Sequence, residues 1–123
     1  PGFYLHVEPG NSFAGGGFYR PDTATLTLVR QRIVDQPGAW TRVRNTLDDA
    51  GFRLGGDTLK RAPKGFDPHH PHIEDLKRKS FVASRQLADE EVTSPDFLTT
   101  YRDTCRGIAP LVRLLCRALD LPT

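Results

Sequence analysis

The chain has 123 residues, 37% hydrophobic and 26% charged, with a formal net charge of +2. That length suits one small domain with one core, and the composition suits a folded chain rather than a disordered one. The charge is too balanced to argue for nucleic acid as a partner, and no apolar run approaches the roughly 20 residues that span a bilayer. Nor is there a signal-peptide pattern, so a cytoplasmic location and no membrane partner are the expectation.

Residues 3–8 alternate, with Phe3, Leu5 and Val7 on one face and Tyr4, His6 and Glu8 on the other, which predicts a half-buried strand. Pro9-Gly10-Asn11-Ser12 is a turn cluster. A second strand is expected over 13–19, interrupted by Gly15, Gly16 and Gly17. Three glycines weaken a strand and mark a bulge or a close backbone approach. A phosphate-cradling loop is the functional alternative, but the G-x-x-x-x-G-K-[ST] spacing is missing. Pro21-Asp22 opens a helix over 22–35, with Leu26, Val29 and Ile33 as its apolar stripe. A second helix over 38–50 buries Trp40, Val43 and Leu47 and stops at Gly51, a good residue for a left-handed helix end.

A third strand is expected over 52–61, then a turn at Pro63-Lys64-Gly65. A short helix over 71–78 has Pro71 at its start, Glu74 and Asp75 in the first turn and Lys77, Arg78 and Lys79 at its end, an order that complements the helix dipole. In a fourth strand over 80–87, Phe81, Ala83, Arg85 and Leu87 share one face. Residues 88–93 read as a polar linker. The last helix, over 95–119, carries Tyr101, Ile108 and Leu115, and should kink or divide near Pro110, which has no amide hydrogen to donate. The sum is an α+β domain: a mainly antiparallel four-stranded sheet packed with three to four helices. Its expected core joins Phe3, Leu5 and Val7 to the helical residues named above and to Phe81.

Cys105 and Cys116 lie eleven residues apart in the last predicted helix. At 1.5 Å of rise per residue that is about 16 Å along the axis, beyond the reach of a disulfide, so both read as reduced core thiols.

Four stretches together carry a resemblance: GFYLHVEPG from Gly2 to Gly10, GGGFYRP from Gly15 to Pro21, GDTLKRAPKGFDP from Gly56 to Pro68, and Lys79-Ser80-Phe81 with Ser84-Arg85. In order and in content they resemble a bacterial family named only as domain of unknown function twenty-four sixty-one. The resemblance covers essentially all of this chain but only the C-terminal part of the longer family domain. The family's upstream R-x-x-R-D-x-R-F block, ending in K-x-P-Y-K, has no counterpart here. With the opening Pro1-Gly2, which lacks a methionine and enters a strand at once, this leads us to expect one domain over 1–123 that is part of a larger one. The resemblance implies no activity, cofactor or catalytic residue.

The segment from Leu59 to Arg85 concentrates the candidate chemistry. Lys60, Arg61 and Lys64 surround Pro63 and Gly65, and Arg85 stands at a strand position expected to neighbour them. Arginine forks grip carboxylate or phosphate, and lysine adds point charge. The four are therefore candidates for a small-anion site, beside the plainer reading of solvated charge around a turn. His69, His70 and His72, with Glu74 and Asp75 nearby, offer metal-binding chemistry. Their spacing fits no standard zinc pattern, and a His-rich exposed turn is the plainer reading, so no metal or other cofactor is expected. Asp57, just before the basic turn, could be a base but more simply pairs with it. No G-x-S-x-G surrounds Ser12, Ser80 or Ser84, and nothing fixes a reaction type. Two classes of function stay open: a domain that binds a phosphorylated or carboxylated small molecule, and a non-catalytic interaction domain. The partner of the second would be a missing N-terminal half or a second copy of the chain.

Overall fold

The first alternating segment folds as strand β1 (Gly2–His6), and the Pro9-Gly10 turn returns the chain into β2 (Ser12–Phe18). The computed structural model describes residues 2–121. Helices α1 (Thr23–Asp35) and α2 (Pro37–Asp49) follow, then β3 (Arg53–Gly55), α3 (Ile73–Leu76), β4 (Phe81–Leu87), α4 (Asp89–Val92) and α5 (Phe97–Ala118). The four strands form one antiparallel sheet in the order β1-β2-β4-β3, so the α+β reading holds. No described helix is long and apolar enough to cross a membrane.

Strand alternation sorts the sheet into two faces. Ala14, Phe81, Ala83 and Leu87 are buried on one, where α5 lies across β2 and β4. The other face carries Tyr4, His6, Phe13, Val82 and Ser84. The glycine run serves the packed face and the ladder. β2 passes through it paired on both sides without a break in register. A Cβ at Gly16 would come 3.1 Å from Ile108 Cγ2 of α5. Gly17, at φ +124°, leaves no room for one beside the Phe81 carbonyl oxygen. The run is thus a close-approach strand, and the bulge and the phosphate loop are both set aside.

Beneath α5, Leu26, Val29 and Ile33 of α1 meet Trp40, Val43 and Leu47 of α2, with Phe81, Ile108, Leu111 and Leu115. Trp40 is fully buried, packs edge-to-face on Phe81 at 5.9 Å, and donates its indole N–H to Asp75 Oδ2 at 2.8 Å. Asp75 also receives Arg44 Nη1 at 2.7 Å and Arg78 Nε at 2.9 Å, so three donors satisfy a buried carboxylate. Both cysteines are free thiols.

Five features differ from the sequence reading. Phe3 and Leu5 are exposed, at 46% and 39%, because β1 is the sheet edge and the helical layer sits over β2 and β4, and Val7, at 56%, lies past the end of the strand. β3 is only three residues long, since the chain turns at Gly56 (φ +98°) and then makes only an isolated Thr58–Arg78 bridge to the segment before β4. α3 is a single turn that starts after His72, not at Pro71. Residues 89–92 are helical rather than linker: Glu91 reaches back to accept the Ala88 N–H at 3.0 Å, and three acidic residues sit at the positive end of the turn. Finally, α5 does not divide at Pro110 but runs as one helix past it. An interior proline costs about 3 kcal/mol. Ile108, Leu111, Leu114 and Leu115 are buried around it, at about 1.5–3 kcal/mol each, and outweigh that cost.

Candidate functional site

The basic turn is held by backbone bonds on both sides. Leu59 N–H donates to Lys77 O at 2.7 Å, and Lys79 N–H donates to Asp57 O at 2.9 Å. Pro63 is buried, and Phe66 N–H closes the turn onto its carbonyl at 3.1 Å. Lys64 is thereby fixed at the wall of a hollow of about 500 Å³ between the start of α1 and the segment leading into β4.

Three further cations line the same hollow: Arg20, Arg30 and Lys79. Arg20 has φ +45°, a left-handed conformation that a side chain rarely adopts. It is pinned there by its N–H, which donates to the buried Ser80 hydroxyl at 2.8 Å. Its guanidinium reaches Asp57 Oδ2 at 3.2 Å, an exposed pair, and lies 5.6 Å from the centre of the Tyr19 ring. Arg30 is buried and donates to the carbonyls of Leu76 (2.6 Å) and Arg78 (3.0 Å). Burial lowers its pKa, yet a guanidinium stays charged at any working pH. Arg30 therefore ties α1 to the segment before β4 and leaves a positive charge at the hollow's wall. Leu26, Leu59 and Pro63 give the hollow an apolar side.

Of the residues singled out in the sequence, Lys64 lines this hollow. Lys60 and Arg61 are exposed on the turn and do not line it. Arg85 lies elsewhere. It is four residues along β4 from Phe81, about 13 Å at the usual strand rise, and pairs with Ala14 in the ladder. Its guanidinium donates to Glu91 Oε2 at 3.2 Å and Thr104 Oγ1 at 3.4 Å, beside a separate hollow floored by Gly107 and Phe52. Arg20, Arg30 and Lys79 were missed because the fold brings them to Lys64 from three distant positions. Arg20, inside the GGGFYRP block, and Lys79, opening the Lys79-Ser80-Phe81 stretch, carried a sequence signal, but not one that placed them beside Lys64.

The His70 and His72 rings are hydrogen-bonded within the fold, and His69 contributes a bond through its backbone amide. His70 Nδ1 accepts the His72 N–H at 3.0 Å, His72 Nε2 is 3.0 Å from Thr41 Oγ1, and the His69 N–H donates to Asp67 at 2.9 Å. Among the described residues, no group of three or more His, Cys, Asp or Glu side chains is placed to hold a metal. Asp57, the other candidate, pairs with Arg20.

The second sheet face holds a larger concavity, of about 610 Å³, lined by Tyr4, His6, Phe13, Tyr19, Val82 and Ser84 among others. His6 stacks on Phe13 at 4.9 Å and contacts Glu8 at 2.9 Å. Burial raises the Tyr4 pKa.

A small α+β domain with a basic surface hollow is thus the class that fold and geometry define. The family described as "Conserved hypothetical protein (DUF2461)" matches residues 1–114, and the chain belongs to that family. No curated protein and no solved structure matches the chain.

Proposed function

We propose that this domain binds a small anion, a phosphate or a carboxylate, in the basic hollow beside the Pro63 turn. The observation that carries the reading is the gathering of Arg20, Arg30, Lys64 and Lys79 around one concavity with a single carboxylate, Asp57. Holding like charges together costs Coulomb energy, and an anion bound among them offsets it. Lys64 and Lys79 supply mobile point charges. Arg20 supplies a planar fork on exchanging Asp57 for the ligand. Arg30 contributes charge from the wall, with two of its donors already committed to carbonyls. Lys60 and Arg61, exposed nearby on the turn, raise the local anion concentration rather than contact the ligand. Arg85, paired with Glu91, takes no part. The role is binding; the hollow contains no group placed for a covalent step.

Titration calorimetry with phosphate, citrate and a sugar phosphate at low ionic strength tests this. Lys64→Ala and Lys79→Ala should each weaken binding about fivefold or more, as loss of a charge-assisted contact predicts, with an unchanged far-UV spectrum. A titration that neither substitution changes sinks the reading.

A second reading rests on β1. Its edge carries Phe3 and Leu5 exposed on one face and Tyr4 on the other, with no lysine or proline along the strand to block pairing. On that reading the domain is a non-catalytic interaction module that covers this edge with a second copy, pairing strands antiparallel about Tyr4. Light scattering that gives a monomer at every concentration up to the millimolar range rejects it.

A further inference from the structure

A second basic hollow, of about 200 Å³, opens where α1, α2 and α5 meet, and four arginines line it: Arg32, Arg42, Arg113 and Arg117. No carboxylate lines it. Other arginines of the domain are matched to acids: Arg20 to Asp57, Arg44 and Arg78 to Asp75, and Arg85 to Glu91. Among the described residues, none of the four here is in an ion pair.

Two independent features of the same place are also unsatisfied. Arg32 Nε is buried and has no hydrogen-bond partner. Buried donors are almost always paired, so an orphan of this kind asks for an acceptor. The start of α2 is the second feature. Gln36 makes no side-chain cap there, the first turn holds no acidic residue, and Ala39 of that turn lines the hollow. The first amides of a helix have no acceptor within it, and that end carries partial positive charge. Arg42 stands one turn further on and adds a cation to the positive end. Arg32 and Arg117 do lie in the last turns of α1 and α5, where a cation suits the dipole. That accounts for the position of two charges. It accounts neither for the orphan Nε nor for Arg42.

We propose that this hollow is a second anion site, built for the terminal phosphoryl group of a phosphomonoester or for free phosphate. Four guanidinium groups without a counter-charge match a dianion better than a monoanion. Their forks match the oxygens of a phosphoryl group, and Arg32 Nε gains an acceptor. The volume admits a phosphoryl head and leaves the rest of an ester outside the mouth. No residue is shared with the hollow at Lys64.

The test is a nitrogen–proton correlation titration of the chain with inorganic phosphate, with glycerol phosphate and with acetate, at constant ionic strength. The Gly38 and Ala39 amides and the Arg32 Nε–H signal should shift and saturate with phosphate. Acetate should need about ten times the concentration or more, because it carries half the charge of the phosphate dianion and two fewer oxygens. Arg42→Gln and Arg113→Gln, both at exposed positions, should each weaken the phosphate midpoint about fivefold or more, while Lys64→Ala leaves it unchanged. A thermal melt of each variant verifies folding. Saturation by glycerol phosphate as well assigns the site to phosphomonoesters; saturation by inorganic phosphate alone assigns it to free phosphate. No saturable shift at tens of millimolar phosphate, an equal response to acetate, or midpoints indifferent to both arginine substitutions would each overturn the proposal.

Discussion

The indole N–H of Trp40 and the carboxylate of Asp75 form a 2.8 Å hydrogen bond with both groups buried, and this bond joins α2 to α3. The largest apolar side chain of the core is thus also the donor that helps keep a charge inside it. Trp40→Phe keeps most of the apolar volume and removes the donor. Asp75 still has Arg44 and Arg78, so the loss should be about 1–3 kcal/mol. Trp40→Ala adds a cavity and should cost about 3–5 kcal/mol. Chemical denaturation reads both, and a Trp40→Phe loss near zero would show that the hydrogen bond contributes nothing beyond packing.

Gly17 sits in β2 at φ +124°, facing the Phe81 carbonyl across the ladder. Gly17→Ala meets both a strained dihedral and a backbone clash, and neither neighbour is a flexible side chain that could move aside. It should destabilise the domain by more than about 1–3 kcal/mol, the usual cost of such strain alone. Gly10→Ala, at φ +77° with open space around it, supplies the comparison, since it carries strain without a clash. A Gly17→Ala melting point no lower than that of Gly10→Ala would show that β2 shifts to accommodate the methyl group.

The sheet and the long helices were legible because period-two and helical patterns are local properties. Leu26, Val29, Ile33, Trp40, Val43 and Leu47 are buried as their spacing required. Phe3, Leu5 and Val7 were misjudged for a reason local pattern does not contain: alternation identifies a strand's apolar face but not whether anything covers it. β1 lies at the edge, beyond the helical layer. The continuity of α5 through Pro110 was hidden likewise, because the burial that outweighs the proline comes from other elements. Of the basic turn, Lys64 was visible as sequence. Its companions Arg20, Arg30 and Lys79 converge only once α1 and the segment before β4 are packed, which Arg30 helps to do by binding Leu76 O and Arg78 O.

Acid should weaken the fold through two helix starts. Hydrogen bonds from Thr25 hold the Asp22 carboxyl below its ordinary 3.8. The Ala88 N–H first, then Arg85, hold the Glu91 carboxyl below its ordinary 4.5. A carboxyl with a lower pKa folded than unfolded stabilises the fold fully above its unfolded pKa. That contribution is lost as pH falls through the folded value. The denaturation midpoint should therefore be insensitive to these groups above about pH 5 and fall below about pH 4. In the Asp22→Asn, Glu91→Gln double variant the midpoint should start lower at neutral pH and decline less on acidification. An acid limb identical to that of the unmodified protein would assign the acid sensitivity to other carboxylates.

Asp57 gives the most discriminating test of the hollow at Lys64. It is the one carboxylate there, and it engages Arg20 at 3.2 Å in a pair that is about two-thirds exposed on each side, 67% and 68%. So exposed a pair contributes about 0–1 kcal/mol, and its loss should barely change stability. For an anion the same residue is a like charge at the rim and a competitor for the Arg20 fork. Asp57→Asn should therefore tighten phosphate binding by about 1.5- to 5-fold at low ionic strength, corresponding to about 0.2–1 kcal/mol at an exposed site. The gain should shrink as salt rises toward 0.15 M, where the screening length is about 8 Å. Lys64→Ala should act in the opposite direction on the same titration, and Arg85→Ala, at its separate hollow, should not act on it at all. If Asp57→Asn leaves phosphate affinity unchanged at low salt, the anion does not bind beside Arg20, and the cations around Lys64 are solvated surface charge.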